Sequence, residues 1–295
     1  MEPLNLLRKA RDEFSPKLIS DAFPVTLEYR KAAMEVFDAA QAAPKFILPN
    51  GGRIFDDDLR GLDAKLRLPF DSVVIEYTCR GLPKSTLDVI FGEGQLSNAP
   101  ERIVYAKQEG ESVKVYSIIH MNIQGEMVWF MQPYVAEIIM DANEKYIAPP
   151  EVDSTKLIGC GMALQEIGGM GRRTHGDMWP KHAYYDMLDE TRAVLELIEA
   201  LSCSNVRAET LPSRKLNKSA AKRGALPFDT YHVLTVGWAK TGEARGESGD
   251  RRSPREHLRR GHIRNLADGR KVWVNSAVVN AGIGARVSKE YSIAA

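Results

Sequence analysis

Apolar residues recur at helical spacing near the start of the chain. Residues 2–14 and 28–42 are rich in Ala, Leu, Glu, Lys and Arg, and in the second stretch Tyr29, Ala33, Val36, Phe37 and Ala40 form one apolar stripe. Pro16, Pro24 and Pro44 punctuate them. The segment KFILPNGGRIF then sets the turn residues Asn50-Gly51-Gly52 between two short extended pieces. From Leu66 to Cys79 an extended entry leads into a buried strand, where Val73, Val74, Ile75 and Tyr77 supply β-branched and aromatic bulk. Residues 102–140 read as an antiparallel meander of RIVYAK, VKVYSIIH and MVWFMQPYV, with turns at Glu109-Gly110-Glu111 and Gln124-Gly125-Glu126. In its middle run Val113, Val115 and Ile119 fall on one face, and Tyr116, Ile118 and His120 on the other. A sheet apolar on both faces has to be covered on both, so the N-terminal helices are expected across it, with Trp129 and Phe130 in the core.

The polar segment 147–156, with Pro149-Pro150, reads as a connector. Residues 159–176 hold six glycines. A helix is expected from near Pro180, with Met187, Leu188, Thr191, Leu195, Ile198 and Leu201 on one stripe. After Asn205 comes a short basic helical segment, SRKLNKSAAKRG, ended by Gly224. Four strand-like runs follow: YHVLTVGW, HLRRGHIRNL, KVWVNSAVV and RVSKEYSI. AKTGEARGESGDRRSP, with no apolar residue larger than Ala, is a loop between the first two, and Asp268-Gly269 marks a hairpin between the second and third. The expected class is α+β: N-terminal helices packed on an antiparallel meander, then a helical segment and a small C-terminal antiparallel β module. Three parts are expected: an acidic α+β domain (1–150), a Gly-rich loop and amphipathic helix (151–204), and a basic β-rich domain (205–295).

With 295 residues, 44% of them hydrophobic and 27% charged, the chain has the composition of a globular protein, not of a disordered chain, a fibre or a membrane protein. No apolar run reaches the ~20 residues of a spanning helix. The start, MEPLNLLRKARDEF, carries charges where a signal peptide needs its apolar centre. Cys79, Cys160 and Cys203 lie far apart and form neither a disulfide framework nor a CxxC motif. A reducing cytoplasm is the expected location, with no membrane partner.

The formal net charge of +1 hides a division. Residues 205–295 hold 18 Lys plus Arg against 8 Asp plus Glu, a net of +10. Residues 1–204 hold the remaining 22 basic and 31 acidic residues, a net of −9. Such asymmetry points either to a polyanion-binding end or to two parts that neutralise each other.

Four stretches carry candidate chemistry. In IGCGMALQEIGGMGRRTHGD, glycine-freed N–H groups beside Arg172 and Arg173 suit a phosphate, but no GK[ST] closes a P-loop and no third glycine completes a dinucleotide fingerprint. A loop is the better reading. Asp56, Asp57, Asp58, Asp71 and Glu76 invite a two-metal nuclease, yet the expected Glu-x-Lys is missing, and a solvated acidic turn is preferred. His257 and His262, five residues apart, fall on opposite faces of a regular strand and so do not jointly grip a metal. No metal site and no cofactor motif is read from the chain.

The fourth stretch, residues 251–271, RRSPREHLRRGHIRNLADGRK, sets eight Lys or Arg against two acids. Side chains on one face of a strand stand about 7 Å apart, the order of phosphate spacing along a nucleic-acid strand. Arg259, Arg264 and His257 are expected on one face if the strand is regular through residue 261, where Gly261 is a candidate bulge. Arg255, Arg259, Arg260, Arg264, Arg270 and Lys271 are the candidate phosphate ligands, with Tyr231 and Trp273 as stacking platforms for bases. The alternative is a solvated strand face with Trp273 in the core.

The blocks LNKSAAKRGALPFDTYHVLTV, SPREHLRRGHIRNLADGRKVWVNSAVV and RVSKEYSI resemble the tail of a family of uncharacterised phage and prophage proteins. The likeness covers roughly residues 190–295 and is most specific in Arg-Arg-Gly-His-Ile-Arg and the Val-Trp-Val after it. It implies a virus- or prophage-encoded protein acting in a bacterial cytoplasm, and it brings no activity and no catalytic residues. The leading expectation is a protein that binds single-stranded DNA or RNA through its basic C-terminal module. One alternative is a metal-independent endoribonuclease with His257 or His262 as general acid or base and Arg259, Arg260 and Arg264 stabilising the phosphorane. The other is a non-catalytic interaction or virion component that docks on a host or phage protein.

Overall fold

The computed structural model describes residues 5–14, 27–55, 67–79, 101–123, 126–139, 155–159, 187–211, 218, 222, 229–236, 257–259, 262–274 and 277–279. Among them are three helices: α1 (Leu6–Glu13), α2 (Leu27–Ala42) and α3 (Leu188–Ser202). Nine strands form one mixed sheet: β1 (Lys45–Ile47), β2 (Ser72–Thr78), β3 (Glu101–Glu109), β4 (Ser112–Ile123), β5 (Glu126–Met131), β6 (Tyr134–Ile138), β7 (Thr155–Gly159), β8 (Val206–Thr210) and β9 (Tyr231–Val236). Their spatial order is β7-β6-β4-β3-β2-β1-β9-β8, with β5 also paired to β4.

The meander is present. β2, β3 and β4 pair antiparallel, and Gly110, at φ 62°, makes the β3–β4 turn. The run MVWFMQPYV is two strands: β5 pairs with Ile118–Ile123 of β4, and β6 with Val113–Val115. The break falls at Gln132-Pro133, where proline has no N–H to give a ladder. There the Gln132 N–H donates to the Ser117 carbonyl at 2.8 Å.

Period-2 alternation sorts the strand residues into two cores. Val74, Ile103, Tyr105, Ile118, Trp129 and Met131 pack under α1 and α2. Val73, Ile75, Tyr77, Val104, Val113 and Val115 pack under α3. The N-terminal helices therefore cover one face only, and α3 covers the other. Ile119 joins Ile118 in the first core and not Val113 and Val115.

Buried carboxylates fix how these layers meet. Glu76, on β2, accepts the N–H groups of Leu6 and Leu7 at 3.0 Å each, so it caps the positive end of α1 from beneath. Glu190, on α3, takes Arg102 of β3 at 2.7 Å and the Ser117 hydroxyl at 2.9 Å. Glu196 accepts the N–H groups of Ile54 and Phe55 and pairs with Arg192 at 2.6 Å. Glu199 holds Lys271 at 2.8 Å. Buried pairs of this kind specify position more than they add stability.

The large sheet extends into the C-terminal part. β9 runs parallel to β1, Lys45 opposite Tyr231, and β8 pairs with β9 at the edge. The expected C-terminal module is thus divided. Its first run belongs to the main sheet, because β1 offers an open edge that Tyr231 and His232 pair with. The next two runs form the ladders β10 (His257–Arg259) with β13 (Ala277–Val279), and β11 (His262–Asn265) with β12 (Lys271–Val274). RVSKEYSI, residues 180–186 and nearly all of the basic segment after Leu211 lie outside the described residues, except that Lys218 and Lys222 are helical and exposed. No helix among the described residues is long and apolar enough to cross a membrane.

Candidate nucleic-acid interface

The hairpin of β11 and β12 closes on the expected Asp268-Gly269 turn. Gly269 has φ 81°, and the Leu266 N–H donates to the Arg270 carbonyl at 2.8 Å. Asp268 braces the turn by accepting the Arg270 N–H at 3.1 Å and its Nε at 2.8 Å. The Arg270 guanidinium and N–H hold the Asp268 carboxyl below its usual range. Both side chains are exposed, so the pair partly offsets the charge of Arg270.

One face of this hairpin is docked. Residues opposite in register share a face, so Ile263 with Trp273 and Asn265 with Lys271 make one side, and Arg264 with Val272 the other. On the docked side Lys271 is bonded to the nearly buried Glu199 of α3. Asn205, just past α3, reads the backbone of Trp273 twice: its Oδ1 accepts the Trp273 N–H and its Nδ2 donates to the carbonyl, each at 2.8 Å. The Ser204 N–H donates to the Lys271 carbonyl at 2.9 Å. The Trp273 ring tilts against Phe55 with centroids 4.7 Å apart. Beside these contacts burial pushes the Cys203 thiol up to about 11, helped by Glu199, so it stays neutral.

On the other side Arg264 is exposed, and Val272 and Val274 are half-buried. The expected phosphate ligands therefore separate. Arg264 and Arg270 are exposed on the hairpin, whereas the charge of Lys271 is committed to Glu199. Arg259 lies on β10, but its side chain, with Arg255 and Arg260, is outside the described residues.

One expectation is corrected. Tyr231 is fully buried, accepts the Asn5 N–H at 2.8 Å and donates its hydroxyl to Glu76 at 2.8 Å, so it offers no face to a base. Its alternation puts it under α1 because Lys45, its partner on β1, also faces that layer. The pairing offset is the same in both hairpin ladders, with His262 opposite Val274 and Arg259 opposite Ala277. Residues 260, 261, 275 and 276, between the two ladders, lie outside the described residues, and the bulge expected at Gly261 lies outside them too. His257 lies on β10 and His262 on β11.

Of the acidic candidates, Glu76 is a helix cap, while Asp56, Asp57 and Asp58 lie outside the described residues, as does the glycine-rich stretch after Gly159. Among the described residues no three His, Cys, Asp or Glu stand close enough to hold a metal. The sequence reading missed Asn205 and Glu199. Their only local signal is a position at the end of a helix, and both act on a strand more than sixty residues later. No protein-family model, curated protein or solved structure matches the chain.

Proposed function

We propose that the chain is a phage- or prophage-encoded nucleic-acid-binding protein that holds single-stranded DNA or RNA against the outward face of the β11–β12 hairpin. One observation carries this reading: the hairpin is fixed on one face by Lys271, Asn205 and Trp273, and it presents Arg264 to solvent on the other. A rigid strand that presents arginine loses little entropy on binding, and a guanidinium suits phosphate oxygens in a way a lysine point charge does not. The excess of +10 over residues 205–295 supplies the field that draws a polyanion toward this face. Trp273 contributes as an anchor of the hairpin and not as its stacking platform.

The test is a titration of labelled single-stranded oligonucleotides into the full-length chain, since β9 shares a sheet with β1. Arg264→Lys is expected to keep the melting point and to weaken binding by about 1–3 kcal/mol as its bidentate contact is lost. Unchanged affinity at an unchanged melting point returns the hairpin to an ordinary solvated strand.

A further inference from the structure

The strand that joins the two halves of the sheet is too short to fill the space at its end. β1 stops at Ile47, while its parallel neighbour β9 runs on to Val236. Beyond His232, β9 has no partner on β1. The Leu48 N–H goes to the Glu76 carbonyl at 3.1 Å, which draws the chain toward β2. It then turns through Gly51 and Gly52 and continues as Ile54-Phe55, whose N–H groups are held by Glu196 of α3. A cavity of about 170 Å³ is left between β9, this segment and the end of α3, with Trp273 among the residues that line it.

We propose that this cavity is a binding site for a small uncharged ring compound, the size of one aromatic ring. Three observations support it. Among the described residues, none that lines the cavity carries a charged or hydroxyl side chain, and Leu48, Ile54, Phe55, Leu234, Val236 and Trp273 supply aliphatic and aromatic surface. Such a site gives water too few polar partners, and an apolar cavity of about 150 Å³ is large enough to take benzene. Its position also fits: it lies outside the carboxyl ends of two parallel strands, β1 and β9, where strand order departs from sequence order, which is where open sheets covered by helices on both faces bind ligands. A charged ligand is disfavoured because none of the described lining side chains would replace its hydration.

The test uses benzene as the probe on the full-length chain, with methyl resonances as the readout. Saturable shifts at Leu48, Leu234 and Val236 are expected, with benzoate and benzylammonium at least about tenfold weaker. Ala200→Leu, which adds a side chain into the cavity from α3, is expected to weaken benzene by about tenfold or more. Shifts that never saturate, that spread over the surface, or that benzoate reproduces at the same concentration overturn the proposal. So does undiminished benzene binding by a folded Ala200→Leu variant. If that variant does not fold, the location of the wild-type shifts and the charged probes decide the matter.

Discussion

The hydroxyl of Tyr231 lies 2.8 Å from Oε2 of Glu76, 155 positions earlier, and the same carboxylate accepts the first two N–H groups of α1. One buried acid thus ties together the N-terminal helix, the middle of the sheet and a strand from the basic end of the chain. Tyr231→Phe removes one donor to Glu76 and the acceptor of the Asn5 N–H, while keeping the ring. It is expected to cost about 1–3 kcal/mol in urea unfolding, with little change in shape. A loss under a few tenths would mean that the link is not made in solution.

The same acid gives a pH dependence of known sign. Burial pushes the Glu76 carboxyl above its ordinary value of 4.5, against the pull of the Leu7 and Leu6 N–H groups and the Tyr231 hydroxyl, and Asp229 adds to the rise. The folded chain therefore holds this proton more tightly than the unfolded chain. The resulting stability is complete below 4.5 and is lost as pH rises through the raised value. Urea unfolding of wild type and Glu76→Gln isolates the effect. The stability of the wild type relative to the variant is expected to be higher at about pH 5 than at about pH 8, and the opposite order would contradict the assignment.

Two adjacent glycines differ in a way that substitution will show. Gly51 and Gly52 both have positive φ, 69° and 71°. A Cβ on Gly51 meets nothing within 4 Å, whereas one on Gly52 would stand 2.9 Å from the Ala193 Cβ and 3.2 Å from the Tyr77 ring. Gly51→Ala is expected to cost about 1 kcal/mol of backbone strain. Gly52→Ala is expected to cost clearly more, because helix α3 and the Tyr77 ring must give way. Equal losses in thermal melting would show that the approach of α3 is looser than described.

Much of the architecture is legible in the sequence. The meander shows itself because Val104, Ala106, Val113 and Val115 alternate with Ile103, Tyr105, Tyr116 and Ile118, and Gly110 marks the turn. The parallel join of β1 to β9 is not legible. β1 is three residues long, its partner is far along the chain, and no turn chemistry announces a long-range parallel pair. Glu76 illustrates the same gap for the site. Among apolar strand residues a carboxylate resembles a metal ligand, and only tertiary structure reveals α1 above it. The hairpin turn was readable from Asp268-Gly269, but the division between Lys271, which is docked, and Arg264, which is exposed, depends on Glu199 and Asn205.

That division predicts opposite behaviour for two cations of one hairpin. Lys271→Met leaves the Glu199 carboxylate buried without its partner, and is expected to destabilise the chain by about 3–5 kcal/mol. Arg264→Ala alters an exposed position, and its stability is expected to stay within about 0.5 kcal/mol. Thermal melting of the two variants side by side checks both.

The most direct test of nucleic-acid binding is the slope of log affinity against log salt, for single-stranded DNA and RNA on the full-length chain, wild type and Arg264→Ala. The wild type is expected to lose orders of magnitude in affinity between about 50 and 200 mM salt. Arg264→Ala is expected to bind more weakly, with a slope smaller by about one and an unchanged melting temperature. An affinity that stays flat with salt, or an Arg264→Ala line that coincides with the wild type, would contradict it.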